Sequence, residues 1–402
     1  MKSVERLALP AAMTDAATRR LLAALDAGGI KARFVGGCVR NAVSGREIDD
    51  IDLAVDKPPA IVTRALERGG IKAIPTGIKH GTVTAIADSR TFELTTLRRD
   101  VETDGRRATV AFTDDWQEDA GRRDFTFNAL YADPDGALYD PFDGRTDLKA
   151  GRVRFIGDPD RRIEEDRLRV MRFFRFFAWY GRAPIDEAGF DACRRHAGTL
   201  GSLSGERVAK ELLRLLAAPA PVDAIAAIAE AGALDHWLPE YDGVARLEAL
   251  IVREPEPDGL RRLAAILPTD ADTMAIGKRL KLSTQQSIRL AEMLVREQGV
   301  DLSAGPRAWR AGIYRLGKSL FQDWLLLAVD APGDWRAALT YVENWTAPEL
   351  PVSGADILKL GLAPGPRIGA LIGAVEAWWI VGDFTADRAA CLAELERLAK
   401  TK

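Results

Sequence analysis

Cysteine and histidine are scarce in this 402-residue chain, and their spacing excludes whole classes of chemistry. Cys38, Cys193 and Cys391 stand too far apart for the paired spacings of a zinc site or a disulfide framework, which fits a reducing compartment. His80, His196 and His236 include no His-Asp pair, so no metal phosphohydrolase domain is expected alongside any other activity. No apolar run approaches the roughly 18 residues of a membrane span, and no basic patch followed by an apolar stretch opens the chain. A soluble cytoplasmic protein is expected, with neither a membrane nor an obligate protein partner. Excess positive charge is missing too, since the formal net charge is −3. That argues against a uniformly basic nucleic-acid binder, although phosphate neutralisation needs only a local basic surface. Fixed-period repeats and low-complexity segments are absent.

What remains is globular material: 47% hydrophobic residues, 29% charged residues of both signs, and a length beyond that of a single growing core. Leu21, Leu22 and Leu25 give a helical face that stops at Gly28-Gly29. A strand and turn follow over 33–39, and a second strand over Ile51–Val55 ends at Pro58-Pro59. A helix is expected over 60–68, and residues 82–97 read as a hairpin about Asp88-Ser89. Beyond Gly157 the spacing is helical only, broken by Pro and Gly near 218–222, 254–259, 303–306, 331–334 and 347–354. The fold class is therefore α+β: a mixed α/β head with a small β-sheet over residues 1–150, then an all-α remainder. The first of these later helices, expected over 160–180, carries seven arginines between Arg161 and Arg182. From Lys149 to Arg182 ten Lys/Arg stand against five Asp/Glu, a local basic surface.

The richest segment is 34–56, FVGGCVRNAVSGREIDDIDLAVD. Gly36-Gly37 after a strand lets backbone approach an anion, and Arg40 is placed to pair with phosphate oxygens. Asp50 and Asp52 are two apart at a strand start, so their carboxylates share a face. Converged carboxylates repel unless a cation sits between them, and oxygen ligands select Mg²⁺ or Mn²⁺. Glu93, between Phe92 and Leu94, adds a third acid facing away from its apolar neighbours. Three acids suit two metals and in-line phosphoryl transfer. In Arg122-Arg123-Asp124-Phe125-Thr126-Phe127-Asn128, Arg123 offers a forked donor for phosphate, and Asp124 and Asn128 share a face if helical.

These motifs, in this order over residues 34 to about 175, resemble the polymerase-β-like nucleotidyltransferase superfamily, specifically class II tRNA nucleotidyltransferases and bacterial poly(A) polymerases. Asn41 departs from the Asp that more often follows the arginine. The resemblance implies metal binding by Asp50 and Asp52 with assistance from Glu93, and ribose and phosphate contacts from Arg123, Asp124 and Asn128. Asp140-Pro141-Phe142-Asp143-Gly144 resembles the linker after the head. Glu165, Asp166 and Arg169 match the Glu-Asp-x-x-Arg motif, with Arg172 and Arg175 following along the same helix toward triphosphate or RNA. Asp166 only accepts and Arg169 only donates hydrogen bonds, so the pair satisfies cytosine and adenine and leaves guanine and uracil unpaired. The alternative for Asp166 and Arg169 is an intrahelical salt bridge. Residues 98–113, with a turn at Asp104-Gly105, resemble the flexible loop of complete CCA-adding enzymes. Pro351 to Asp356 and Pro364-Gly365-Pro366 resemble a tRNA-holding tail.

The resemblance thus implies a catalytic head over 1–150, a neck for base recognition over 151–217, a body over 218–335 and a tail over 336–402. It further implies CCA addition to a tRNA 3′ end from CTP and ATP, with Mg²⁺ in a two-metal site and contacts to the tRNA elbow. The alternatives are a poly(A) polymerase or a partial CC- or A-adding enzyme. The C-terminus, three Lys/Arg against two Glu from Cys391 to Lys402, is mild for a poly(A) polymerase tail.

Overall fold

The computed structural model describes residues 1–77, 81–103, 108–295, 305–328, 335–360 and 362–400. It divides into two compact units, 1–241 with 278–281 and 242–277 with 282–402. The boundary expected at 217 falls inside the first unit and that at 335 inside the second.

The head contains β1 (Glu5–Arg6), β2 (Ala32–Val35), β3 (Ile51–Val55), β4 (Lys72–Gly77), β5 (Thr82–Ala87), β6 (Arg90–Thr96), β7 (Arg98–Thr103), β8 (Ala108–Phe112), β9 (Tyr131–Ala132) and β10 (Ala137–Tyr139). Its helices are α1 (Ala11–Thr14), α2 (Ala16–Ala27), α3 (Gly37–Val43), α4 (Pro59–Arg68), α5 (Trp116–Gly121) and α6 (Gly144–Ala150). Eight strands form one sheet in the order β1-β10-β9-β2-β3-β6-β5-β4. The sheet is larger than expected because β1, β9 and β10, two or three residues each, are too short to show alternation. Only β3 and β6 pair in parallel. The expected hairpin is present, with Asp88 and Ser89 both at positive φ in its two-residue turn. One face buries Leu21, Leu25, Phe34, Leu53, Leu66, Phe92 and Leu94; the other carries a smaller cluster with Ala54, Ala129 and Tyr131. This leaves room on the second face for polar side chains from β3 and β6.

β7 and β8 pair separately as an antiparallel ribbon. The Asp104-Gly105 turn, like His80, lies outside the described residues.

Five helices complete the first stretch: α7 (Pro159–Glu165), α8 (Leu168–Tyr180), α9 (Glu187–His196), α10 (Gly205–Leu216) and α11 (Pro221–Glu230). The single helix expected over 160–180 is two, because Asp166 is extended (φ −150°, ψ 104°). α8 buries Phe173, Phe174, Phe176 and Phe177, so these rings are core; Phe173 and Phe176 pack against Phe125, Phe127 and Phe155.

Next come α12 (Ala245–Ile251), α13 (Gly259–Ala265), α14 (Thr273–Leu280), α15 (Thr284–Leu294), α16 (Pro306–Leu327), α17 (Trp335–Asn344), α18 (Gly354–Lys359), α19 (Pro366–Val381) and α20 (Arg388–Lys400). In the second unit Asp323 of α16 is buried and holds both Arg261 of α13, at 2.7 Å, and Arg289 of α15, at 2.8 Å. Ser353 and Asp356 form a capping box on α18, and Asp356 also takes Arg388, so this tail segment is helix punctuation. No helix among the described residues is long and apolar enough to cross a membrane.

Candidate active site

Strand alternation puts the acids together. Ile51 and Leu53 point into the main core, so Asp52 projects from the other face. Asp52 is in register with Glu93 on the parallel neighbour β6, and Glu93 is exposed between buried Phe92 and Leu94. Asp50, one residue before β3, lines a cleft of about 340 Å³ together with Asp52 and Asp49. Burial, then the Glu93 and Asp50 charges, push the Asp52 carboxyl up to about 6, against the pull of Arg123 and Arg40. The Asp52 backbone carbonyl accepts from the Cys38 thiol (3.6 Å), whose own ionisation burial pushes up to about 11. Cys38 is thus a neutral packing group. Among the described residues no three His, Cys, Asp or Glu side chains are gathered closely enough to hold a metal by themselves. Paired carboxylates still suit a hard divalent cation that draws its other oxygens from phosphates and water.

Gly36 caps α3 with φ +67°, and a Cβ there would stand 3.5 Å from Nη1 of Arg123. The glycine turn therefore meets Arg123, as a phosphate cradle requires, and Gly37 lines the cleft. Arg40 is committed elsewhere. Its Nη1 donates to Asn128 Oδ1 (2.6 Å), Nε and Nη2 donate to Asn41 Oδ1, and the guanidinium lies 4.5 Å from the Tyr180 ring centre. Asn41 Oδ1 also accepts from the Tyr180 hydroxyl (2.8 Å), while its Nδ2 donates to the Glu47 carbonyl (2.7 Å). Arg40 and Asn41 together tie α3 to the end of α8.

Residues 124–128 do not form an α-helix. Asp124 lies in a bend, Phe125 is extended and bridged to Phe155, and a 3-10 turn covers Thr126–Ala129, pressed so closely under α6 that a Cβ on Gly144 would meet the Thr126 carbonyl at 2.3 Å. Asp140 fastens the same segment by accepting from the Gly144 and Arg145 amides, so this stretch is a tight cap. Asp124 and Asn128 nevertheless meet, with Asn128 Nδ2 donating to Asp124 Oδ1 at 2.9 Å. Arg172 donates its Nε to Asp124 Oδ2 at 2.7 Å. Burial alone would raise Asp124, but Arg172 and Asn128 hold it down to about 2.

Asp119 was not singled out by sequence, yet it organises the arginines. Fully buried, it accepts from Arg122 (2.7 Å), Arg123 (3.1 Å) and the Tyr131 hydroxyl (2.6 Å). Those two guanidiniums overcome burial and keep its carboxyl well below the usual range. An acid four residues before an arginine on one helix turn was the available sequence signal.

The break at Asp166 changes the geometry expected of the base-reading pair. Asp166 and Arg169 do not emerge from one continuous helix, and although the Arg169 amide donates to the Asp166 carbonyl at 2.9 Å, their side chains do not pair. Asp166 Oδ1 accepts from the Leu168 amide (3.1 Å), capping α8, and Arg207 of α10 reaches its carboxylate at 3.0 Å. Arg169 donates to Glu165 (2.6 Å) and to the Arg122 and Arg162 carbonyls (2.9 and 2.8 Å). Each side chain is thus fixed by its own partners, and the alternative of a plain Asp166–Arg169 salt bridge is not what forms. Arg175 pairs with buried Glu211 of α10 at 2.6 Å, off the hydrogen-bond line.

Comparison with known proteins agrees with this architecture. Residues 32–154 match the family model "Poly A polymerase head domain", and 184–244 match "Probable RNA and SrmB- binding site of polymerase A". The chain is 33% identical over 358 residues to the mitochondrial CCA tRNA nucleotidyltransferase 1 of Danio rerio, covering 86% of this chain and 83% of that one. It is 32% identical over 392 residues to the CCA-adding enzyme of Levilactobacillus brevis, covering 93% and 96%. The crystal structure of the Bacillus stearothermophilus CCA-adding enzyme in complex with CTP superposes with a TM-score of 0.75 at 25% identity, over 95% of this chain and 96% of that one. A nucleotidyltransferase head, its acids on one sheet face and relatives matched over nearly their whole length leave one assignment: the chain belongs to the family of CCA-adding tRNA nucleotidyltransferases.

Proposed function

We propose that this protein adds CCA to the 3′ end of tRNA, using CTP and ATP without a template and releasing pyrophosphate. The observation that carries the reading is the in-register pair Asp52 and Glu93, with Asp50 beside them at the edge of the cleft. Its support as to substrate is the family and the relatives named for CCA addition.

In the reaction the RNA 3′-hydroxyl oxygen attacks the α-phosphorus of the nucleotide. A new O–P bond forms as the bond to pyrophosphate breaks, pyrophosphate leaves with the electron pair, and the hydroxyl proton passes to solvent. A divalent metal, which the family implies, supplies charge neutralisation at these oxygens; Asp50 and Asp52 would hold it with Glu93 assisting, and Mg²⁺ in a two-metal arrangement suits such oxygen donors. Gly36, Gly37 and Arg123 receive the triphosphate, Asp124 and Asn128 the ribose, and Asp166 with Arg169 the base edge. Arg172 acts by fixing Asp124, and Arg40 by fixing Asn128. The segments 1–150, 151–217, 218–335 and 336–402 then serve as head, neck, body and tRNA-holding tail. A reducing, cytoplasmic setting belongs to the same proposal, supported by three buried free cysteines.

The test is to incubate the protein and Mg²⁺ with tRNA lacking its 3′ end and each nucleoside triphosphate alone or in pairs. Two additions with CTP alone, and a third only when ATP is also present, support the reading. A long tract from ATP alone would make it a poly(A) polymerase.

A further inference from the structure

The cleft that Asp50 and Asp52 border has an opposite wall that the nucleotide-binding residues do not use. Of the residues assigned to the nucleotide, Gly37 lines the cleft beside the acids, whereas Arg123, Asp124, Asn128, Asp166, Arg169 and Arg172 do not line it. Its far side is built instead by Trp179 of α8 and Arg214 of α10. The Trp179 indole N–H donates to the Arg214 carbonyl at 2.8 Å, which fixes the ring and joins the two helices at this point. Trp179 is half-buried, whereas Arg214 is exposed, and its guanidinium has no side-chain partner among the described residues. Next to them Tyr180 is held by Asn41, and Arg175 by Glu211, so the surroundings are already ordered.

In-line displacement sets a requirement for this space. The attacking hydroxyl and the departing pyrophosphate lie on opposite sides of the α-phosphorus, with the metal-binding acids between them. With the triphosphate on the Gly36 and Arg123 side, the incoming hydroxyl needs room on the other side of the acids. A single-stranded RNA end is held by stacking a base on an aromatic face and neutralising a phosphate with arginine. Trp179 and Arg214 supply one of each in a cleft whose volume is that of a small-ligand site.

We propose that Trp179 and Arg214 form the acceptor subsite: the indole stacks on the 3′-terminal base of the RNA and the Arg214 guanidinium pairs with the phosphate on its 5′ side. This presents the 3′-hydroxyl to Asp50 and Asp52. The inference rests on the proposed nucleotide addition but is separable from it, because binding is readable without turnover.

The experiment places 2-aminopurine as the 3′-terminal base of a tRNA lacking CCA and follows its fluorescence on binding to the full chain. Stacking on Trp179 quenches it with the wild-type protein, and Trp179→Ala restores it while Trp179→Phe quenches in part. In steady-state kinetics Trp179→Ala and Arg214→Ala each raise the KM for RNA about tenfold, the scale of one stacking or phosphate contact, with the KM for CTP within about twofold of wild type. Arg214, being exposed, keeps the test valid if Trp179→Ala fails to fold. A rise in the KM for CTP with that for RNA unchanged would assign the wall to the nucleotide and overturn the proposal, as would unaltered fluorescence and kinetics in both variants. A wild-type protein that quenches the probe but adds nothing would contradict the proposed function and leave this subsite standing.

Discussion

Asp52 and Glu93 stand opposite one another on adjacent parallel strands, so two carboxylates share one face of the head sheet with no basic side chain between them in register. The arrangement is costly in isolation and useful with a cation. Burial and the neighbouring Glu93 and Asp50 lift Asp52 to about 6, above the ordinary value near 3.9 for a free aspartate. A raised carboxyl stabilises the fold fully below its unfolded value, and that stability is lost as pH rises through about 6. In metal-free protein, Asp52→Asn should therefore raise stability at pH 8, by on the order of 2 kcal/mol, and have little effect at pH 4. Thermal melts in chelator at the two pH values check this. Asp52→Ala should abolish addition of both nucleotides while RNA binding is largely kept.

Removing Asp119 should damage both the fold and triphosphate binding. Asp119→Ala strands Arg122 and Arg123 beside a buried gap, a loss of about 3–5 kcal/mol by the usual cost of breaking a buried ion pair. Denaturant unfolding reads the first effect. A higher KM for CTP and ATP, measured below the variant's melting temperature, reads the second.

Gly36→Ala should be a smaller lesion of the same cradle. The residue sits at φ +67°, which costs a side-chain-bearing residue about 1–2 kcal/mol, and the new methyl would lie against the Arg123 guanidinium. We expect a modest loss of stability and a disproportionate rise in the KM for both nucleotides.

Base choice should depend on Asp166 and Arg169 as independently anchored groups. Either alanine substitution should lower the preference for CTP over UTP and for ATP over GTP at least about tenfold, judged by kcat/KM ratios. Arg207→Ala removes the side-chain partner of Asp166 but leaves its carboxylate held by the Leu168 amide, so it should relax selection less than Asp166→Ala. Equal relaxation by both would mean that Arg207 itself contacts the base.

Much of the head was legible because its signals are local. The alternation of β3 and β6, the Asp88-Ser89 turn and the helix stop at Gly28-Gly29 depend on neighbours in sequence, and all are present. The acids were readable for the same reason, since strand period alone aligns Asp52 away from Ile51 and Leu53. What escaped depended on distant partners. Arg40 looked like a phosphate ligand from its position after two glycines, but Asn128, 88 residues on, takes one of its donors. The helix expected over 160–180 breaks at Asp166 because its carboxylate caps α8 instead of continuing α7. Nothing in the local pattern marks that choice, as Glu, Asp and Arg all favour or tolerate helix. Glu211 and Arg207 act only through tertiary contacts and had no periodic or motif signature, whereas Asp119 had only its spacing to Arg122 and Arg123 to mark it.

The measurement that bears most directly on CCA addition is sequencing of RNA 3′ ends after incubation of the purified protein with tRNA lacking its terminal trinucleotide, all four nucleoside triphosphates and Mg²⁺ together. The expected result is a single dominant product ending in CCA, extended by three nucleotides and no further. An extended A tract, or ends containing G and U in proportion to the triphosphates supplied, would contradict it.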